Sequence, residues 1–157
     1  MSLFQKLHDL CLAKNISIAT AESCTGGLLA SRITSVSGAS SFFKGGVIAY
    51  QNDVKINLLG VSELIINKKT EVSSQVAEEM ANGVRKKLLV DFSIATTGYA
   101  GPKGGSELHP LGTVFFAVSS RKKTISNRFL FEGDRESIVS QAVVKAVALL
   151  IEELKSQ

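Results

Sequence analysis

The chain has no tryptophan, two prolines, two cysteines and two histidines, and its longest unbroken apolar run is Ala146 to Ile151. Each shortage excludes something. A bilayer span needs about 20 apolar residues, so no membrane association is expected. The opening MSLFQKLHDL carries charges within its first ten residues and lacks a secretory signal's apolar core, so a cytoplasmic location is expected. Cys11 and Cys24 form no disulfide framework and are expected to be reduced thiols. His8 and His109 stand near no Cys, Asp or Glu cluster with ligand spacing, which disfavours a metal centre and leaves little for a Ser-His-Asp triad.

What is present fits one α/β domain over residues 1–157, with 45% apolar and 20% charged residues. The net charge of +4 serves solubility or draws an anion such as a phosphorylated ligand. Nucleic acid is not an expected partner. The basic clusters at Lys68-Lys69, Arg85-Lys86-Lys87 and Arg121-Lys122-Lys123 are scattered and carry no interleaved aromatics.

Apolar residues at Leu3, Phe4, Leu7, Leu10 and Cys11 repeat at helical spacing. Ile16, Ile18 and Ala19 predict a short strand entering the turn Ala21 to Gly27, and Leu28, Leu29 and Ile33 begin a second helix ending near Ser37-Gly38. A strand is expected from Gly45 to Tyr50, then a helix capped by Asn52 or Asp53 and stopped by Gly60. Ser73 or Ser74 caps a helix whose Val76, Met80, Val84 and Leu88 share a face. Phe92 to Thr96 predicts a strand, followed by a glycine-rich loop from Gly98 to Gly112. Thr113 to Val118 and Ile125 to Phe131 predict a hairpin turning at Arg121-Lys122-Lys123. Asp134 caps a long last helix. Helices interleaved with strands, plus that late hairpin, predict an α/β sandwich around a mixed sheet.

Three segments have the makings of a site. The strand-turn-helix around Ser23, Thr25, Gly26 and Gly27 points backbone N–H groups at its turn, which suits a phosphate or an oxyanion, or else is an ordinary helix cap. It is neither a P-loop nor a nucleophile elbow, because no Gly-Lys-Ser/Thr follows and Ser23 is not flanked by glycines. The Gly98 to Ser106 stretch is long for a connection, and its glycines permit close backbone approach to a ligand. Lys55, one turn into its helix, reaches back toward the strand ends where α/β folds bind ligands, and if desolvated it can act as a base; a solvated helix lysine is the plain alternative. Ser41 to Lys44 and Ser120 to Lys123 match Ser-x-x-Lys without the companion motifs of that chemistry.

The stretch Ala21-Glu22-Ser23-Cys24-Thr25-Gly26-Gly27-Leu28 is distinctive. With it stand Gly38 to Phe43, Gly46 to Asn52, Lys55, Leu59-Gly60-Val61, Thr97 to Pro102, Gly104-Gly105, Pro110 to Val114 and Gly133-Asp134-Arg135. In order and spacing these resemble the CinA C-terminal domain family over nearly the whole chain. The resemblance implies a three-layer α/β/α sandwich and a cofactor-free amidohydrolase that converts nicotinamide mononucleotide to nicotinic acid mononucleotide and ammonia. It implies Ser23 as nucleophile, activated by Tyr50 and Lys55, and a small-molecule pyridine mononucleotide as partner.

On that reading N–H groups near Thr25, Gly26 and Gly27 act as oxyanion donors. Asn52, Ser40, Arg135 and the loop residues Gly98, Gly101, Gly104 and Gly105 are expected to contact substrate, ribose and phosphate included. The last helix and the hairpin offer association surfaces, and a homo-oligomer is expected. Two departures from the family pattern stand out: Lys103 where Asp or Thr is common, and Ser74 where Glu is common. A catalytically silent module that binds pyridine nucleotides is the alternative function.

Overall fold

In the computed structural model, which describes residues 1–157, alternating helix and strand build a five-stranded sheet with helices on both faces. In chain order the elements are α1 (Leu3–Lys14), β1 (Ile18–Glu22), α2 (Leu28–Thr34), β2 (Phe43–Ile48), α3 (Asn52–Leu59), α4 (Glu63–Lys69), α5 (Ser74–Leu88), β3 (Phe92–Gly98), β4 (Thr113–Ser120), β5 (Thr124–Leu130) and α6 (Arg135–Ser156). The strand order is β2-β1-β3-β4-β5. The first three strands are parallel, and β4 and β5 run antiparallel as the expected hairpin.

The two sheet faces differ in side-chain size, and this sets how closely the helices approach. Ile18, Phe92, Ile94, Phe116 and Val118 pack with α1, α2 and α6 in one core. Ala19, Ala21, Ala95 and Ala117 pack with α3, α4 and α5 in the other. Strand alternation produces this split, since successive residues point to opposite faces. On the small-residue face the helices crowd together: a Cβ on Gly83 of α5 would lie 1.9 Å from the Leu59 carbonyl oxygen at the end of α3. Gly60 then ends α3 in the left-handed conformation (φ 71°), which glycine adopts without steric cost.

Ser73 and Asp134 cap α5 and α6 as expected, their side chains accepting from the Val76 and Ser137 amides. Three details depart from expectation. The cap of α3 is Gln51, because Asn52 and Asp53 are already helical, Asp53 standing in the acid-favouring first turn. β2 spans Phe43–Ile48, which leaves Tyr50 in the connection beyond the strand. The seven-residue α4 is unforeseen. Its Leu64-Ile65-Ile66 run has no clear helical period, yet Ser62 caps it by accepting from the Ile65 amide.

After β1 the chain crosses over α2 to β2; after β2 it crosses back over α3, α4 and α5 to β3, on the other side of β1. The carboxyl ends of β1 and β3 therefore flank a crevice at a topological switch point.

Candidate active site

At that crevice lies a cavity of about 390 Å³. Ser23 opens onto it just past β1, Tyr50 to Asn52 past β2, and Thr97 to Gly101 at the end of β3 and just beyond, with Lys55, Glu71, Lys103 and Arg135 completing the wall. Two elements explain how Lys55 arrives there. Gln51 and Asn52 begin α3 at the end of β2, and a helical side chain leans toward its own N-terminus, so Lys55 points back at the strand ends.

Lys55 is 1% exposed. Its Nζ donates to the Tyr50 backbone carbonyl at 3.3 Å, and no carboxylate lies within ion-pair distance. Burial of the charge pushes its pKa below the ordinary 10.5, and Glu71 and Cys24 oppose that shift only in part. The Ser23 hydroxyl faces the same cavity and makes no hydrogen bond within the chain, to Lys55 or to any other group. The Tyr50 side chain is 55% exposed, and its hydroxyl accepts from Arg135 Nη2 at 2.7 Å. Tyr50 thus meets Lys55 through its carbonyl and α6 through its phenol. Arg135 Nη1 donates to the Gly101 carbonyl at 2.7 Å, which ties the loop after β3 to the start of α6.

The turn after β1 is organised by a residue absent from the expected site. Glu22 is buried, and its carboxylate accepts from the Thr25 hydroxyl at 2.6 Å and from the Gly27, Leu29 and Ala30 amides at 3.2, 2.9 and 3.1 Å. Thr25 also bonds the Thr96 hydroxyl at 2.8 Å. This changes the expected oxyanion donors. The start of α2 is closed by an internal carboxylate, the Gly27 amide is committed to Glu22, and the Gly26 amide to the Ser23 carbonyl at 3.1 Å. The Thr25 amide stays uncommitted and is joined by that of Cys24; neither donates to an oxygen of the chain. Burial pushes the Cys24 thiol up to about 12, so it is a poor nucleophile despite lying beside Ser23.

Of the expected substrate contacts, Asn52, Gly98, Gly101 and Arg135 line the cavity. Thr25, Gly26 and Gly27 do not line it. Gly104 packs on the Tyr99 ring and Gly105 on the Leu111 backbone, both outside the cavity wall. Within one chain Ser40 stands apart from these: it is exposed in a 3-10 turn (Ala39–Ser41) before β2, at the opposite end of the sheet. The six residues of β2 separate it from the cavity, about 20 Å at 3.3 Å per residue. Ser74, at the start of α5, lies outside the cavity, whereas Lys103 lines it. Glu71, Thr97 and Tyr99 also line it. Thr97 directly precedes the expected loop and Tyr99 lies within it, but no local signal marks Glu71, which comes from the connection between α4 and α5.

A family model described as the CinA C-terminal domain matches residues 1–154. A CinA-like protein of Flavobacterium psychrophilum is 46% identical over 148 residues, 94% of this chain and 35% of that protein. A CinA-like protein of Fervidobacterium nodosum is 42% identical over 144 residues, 92% of this chain and 35% of that protein. The chain thus spans about a third of the length of these curated relatives. The crystal structure of a competence-damaged protein (CinA) superfamily protein from Klebsiella pneumoniae superposes with a TM-score of 0.95 at 35% identity, covering 99% of this chain and 97% of that one. A superfamily member from Escherichia coli superposes with a TM-score of 0.92 at 36% identity, covering 95% and 87%.

Proposed function

This chain belongs to the CinA C-terminal domain family, and we propose that it is an amidohydrolase that cleaves the carboxamide of nicotinamide mononucleotide. The observation that carries the reading is a buried lysine without a carboxylate partner on the wall of the cavity that receives a free serine hydroxyl. A lysine that has lost its water and gained no counter-charge holds its proton weakly, which is what a general base near neutral pH requires.

The reaction divides into two transfers. Ser23 Oγ attacks the carboxamide carbon while its proton passes to the neutral Lys55 amine, directly or through one water. The developing oxyanion takes the Cys24 amide, which lines the cavity and donates to no oxygen of the chain. Collapse breaks the C–N bond as Lys55 returns the proton to the leaving nitrogen, giving ammonia and an ester on Ser23. Water then attacks the ester as Lys55 accepts its proton, and Lys55 passes that proton to the departing Ser23 oxygen, which restores the hydroxyl and the neutral amine with nicotinic acid mononucleotide as product. Arg135 and Lys103 supply positive charge for the phosphate, and Tyr50 holds both Arg135 and Lys55 in register.

Ammonia release, with the product identified chromatographically, tests the reading on the wild type and Ser23→Ala. We expect turnover in the wild type and a loss of at least about 10³-fold in Ser23→Ala. Unchanged turnover in Ser23→Ala removes the serine from the mechanism. Saturable nucleotide binding without ammonia release from the wild type favours a silent binding module instead.

A further inference from the structure

The charges around the cavity are separated and unpaired. Glu71 stands in the connection between α4 and α5, on the small-residue face of the sheet. Its backbone is fixed from both sides: the Glu71 carbonyl accepts from the Thr97 hydroxyl at 2.7 Å, and Val72 and Ser73 after it are buried. The carboxylate lines the cavity and takes no part in the chain's three ion pairs, which join His8 to Asp9, Arg121 to Asp91 and Lys123 to Glu153. Arg135 reaches the cavity from α6, in the helix layer on the other face, and Lys103 from the loop after β3. Neither has a carboxylate within ion-pair distance. One wall therefore presents a lone anion and another presents two cations.

Unpaired charges around a cavity left by a folded chain are matched by the ligand's charges. We propose that Glu71 is a specificity determinant that selects a cationic ring bearing the carboxamide, while Arg135 and Lys103 take an anion at the ligand's other end. The inference rests on the amidohydrolase reading and deepens it. An oxidised pyridinium carries a positive charge beside its carboxamide. The reduced dihydropyridine, of nearly the same shape, carries none. Glu71 is the group that tells the two apart, because nothing else lining the cavity is a carboxylate.

A second consequence follows from the same placement. Around Lys55 the groups that titrate or carry charge are Cys24, Tyr50, Glu71, Tyr99, Lys103 and Arg135. Glu71 is the one acid among them, and it opposes the loss of the Lys55 proton. Removing its charge moves the rising limb of the pH–rate profile to lower pH. A purely structural defect would lower the rate without moving the limb.

The test compares oxidised and reduced nicotinamide mononucleotide as ligands of the Ser23→Ala and Ser23→Ala/Glu71→Gln variants of this chain, by calorimetry. The expected result is a preference for the oxidised form of about tenfold or more with Glu71, falling to near parity with Gln, through weaker binding of the oxidised form alone. In the background with Ser23 intact, Glu71→Gln raises KM for the oxidised form about tenfold, leaves kcat at neutral pH equal or higher, and shifts the pH limb down. An unchanged preference in Glu71→Gln overturns the proposal while leaving the amidohydrolase reading standing. Binding of neither form by Ser23→Ala overturns both. Glu71→Asp serves as the rescue, expected to restore most of the preference.

Discussion

Glu22 and Lys55 are both ionisable, both almost wholly buried, and both sit at the carboxyl edge of the sheet, yet the fold treats them in opposite ways. Four donors surround the Glu22 carboxylate, at distances between 2.6 and 3.2 Å. Lys55 has one carbonyl at 3.3 Å and a cavity. A buried charge costs several kcal/mol unless its hydrogen bonds are made. Glu22 has its desolvation offset by the α2 amides and belongs to the scaffold. Lys55 does not, and a residue kept in so unfavourable a state is expected to have a use. The pair separates what builds the serine turn from what would activate the serine.

The sharpest way to break this contrast is to remove each charge. Lys55→Met keeps the volume of the side chain and deletes the amine. Turnover is expected to fall by about 10³-fold or more in the ammonia assay. The same variant is expected to be more stable than the wild type near neutral pH, with a melting temperature a few degrees higher, roughly 2–4 °C for each kcal/mol. The sign follows from the depressed pKa. Between the folded pKa and the unfolded value near 10.5, the unfolded chain binds a proton that the folded chain does not. Wild-type stability therefore climbs through that window as pH rises. Below it, folding must bury the ammonium, so the advantage of Met is full there, and it fades as pH approaches and passes about 10.5. A variant that is inactive and also less stable at neutral pH would make Lys55 a scaffold residue like Glu22.

Glu22→Ala probes the other half. It leaves the Thr25 hydroxyl with the Thr96 hydroxyl alone and strands three amides at the start of α2, each worth about 1–3 kcal/mol when buried without a partner. With water satisfying some of them, a net loss of about 3–5 kcal/mol is expected, read from urea unfolding. Glu22→Gln keeps an acceptor for Thr25 and Leu29 but turns an NH₂ toward one amide, and should lose less. If Glu22→Ala were neutral in stability, the contrast between the two buried charges would collapse.

The sequence made most of the fold legible because periodicity, caps and glycine stops agree along it. The helix at Leu3, the Ser73 and Asp134 caps and the Lys122 hairpin all emerge from local signals. The α4 helix escapes because three successive apolar residues define no face. At the site, Lys55 and Arg135 reach the cavity where a residue at a helix start next to a strand end must go. The phenol of Tyr50 and the amides of the serine turn are another matter. Which partner each takes depends on Arg135, 85 residues away in sequence, and on Glu22 folding back over its own turn. Glu71 is illegible for the same reason: a connection between helices carries no period, and only the long-range Thr97 contact fixes it at the cavity.

Ser40 supplies the smallest expected effect and the most pointed use of it. It lies among the residues that carry the family resemblance, as Ser23 and Lys55 do, yet within one chain the whole length of β2 separates it from the cavity. If the site is complete in a single chain, Ser40→Ala leaves kcat/KM within about twofold, since an exposed hydroxyl that distant contributes neither charge nor contact to the transition state. A loss above tenfold with unaltered melting temperature would mean that the hydroxyl arrives from a second copy, whose exposed 3-10 turn then approaches the first copy's cavity. Mixing Ser40→Ala with Ser23→Ala chains separates the two cases. Activity regained in the mixture requires sites built from two chains, and a mixture no more active than its parts confines the chemistry to one.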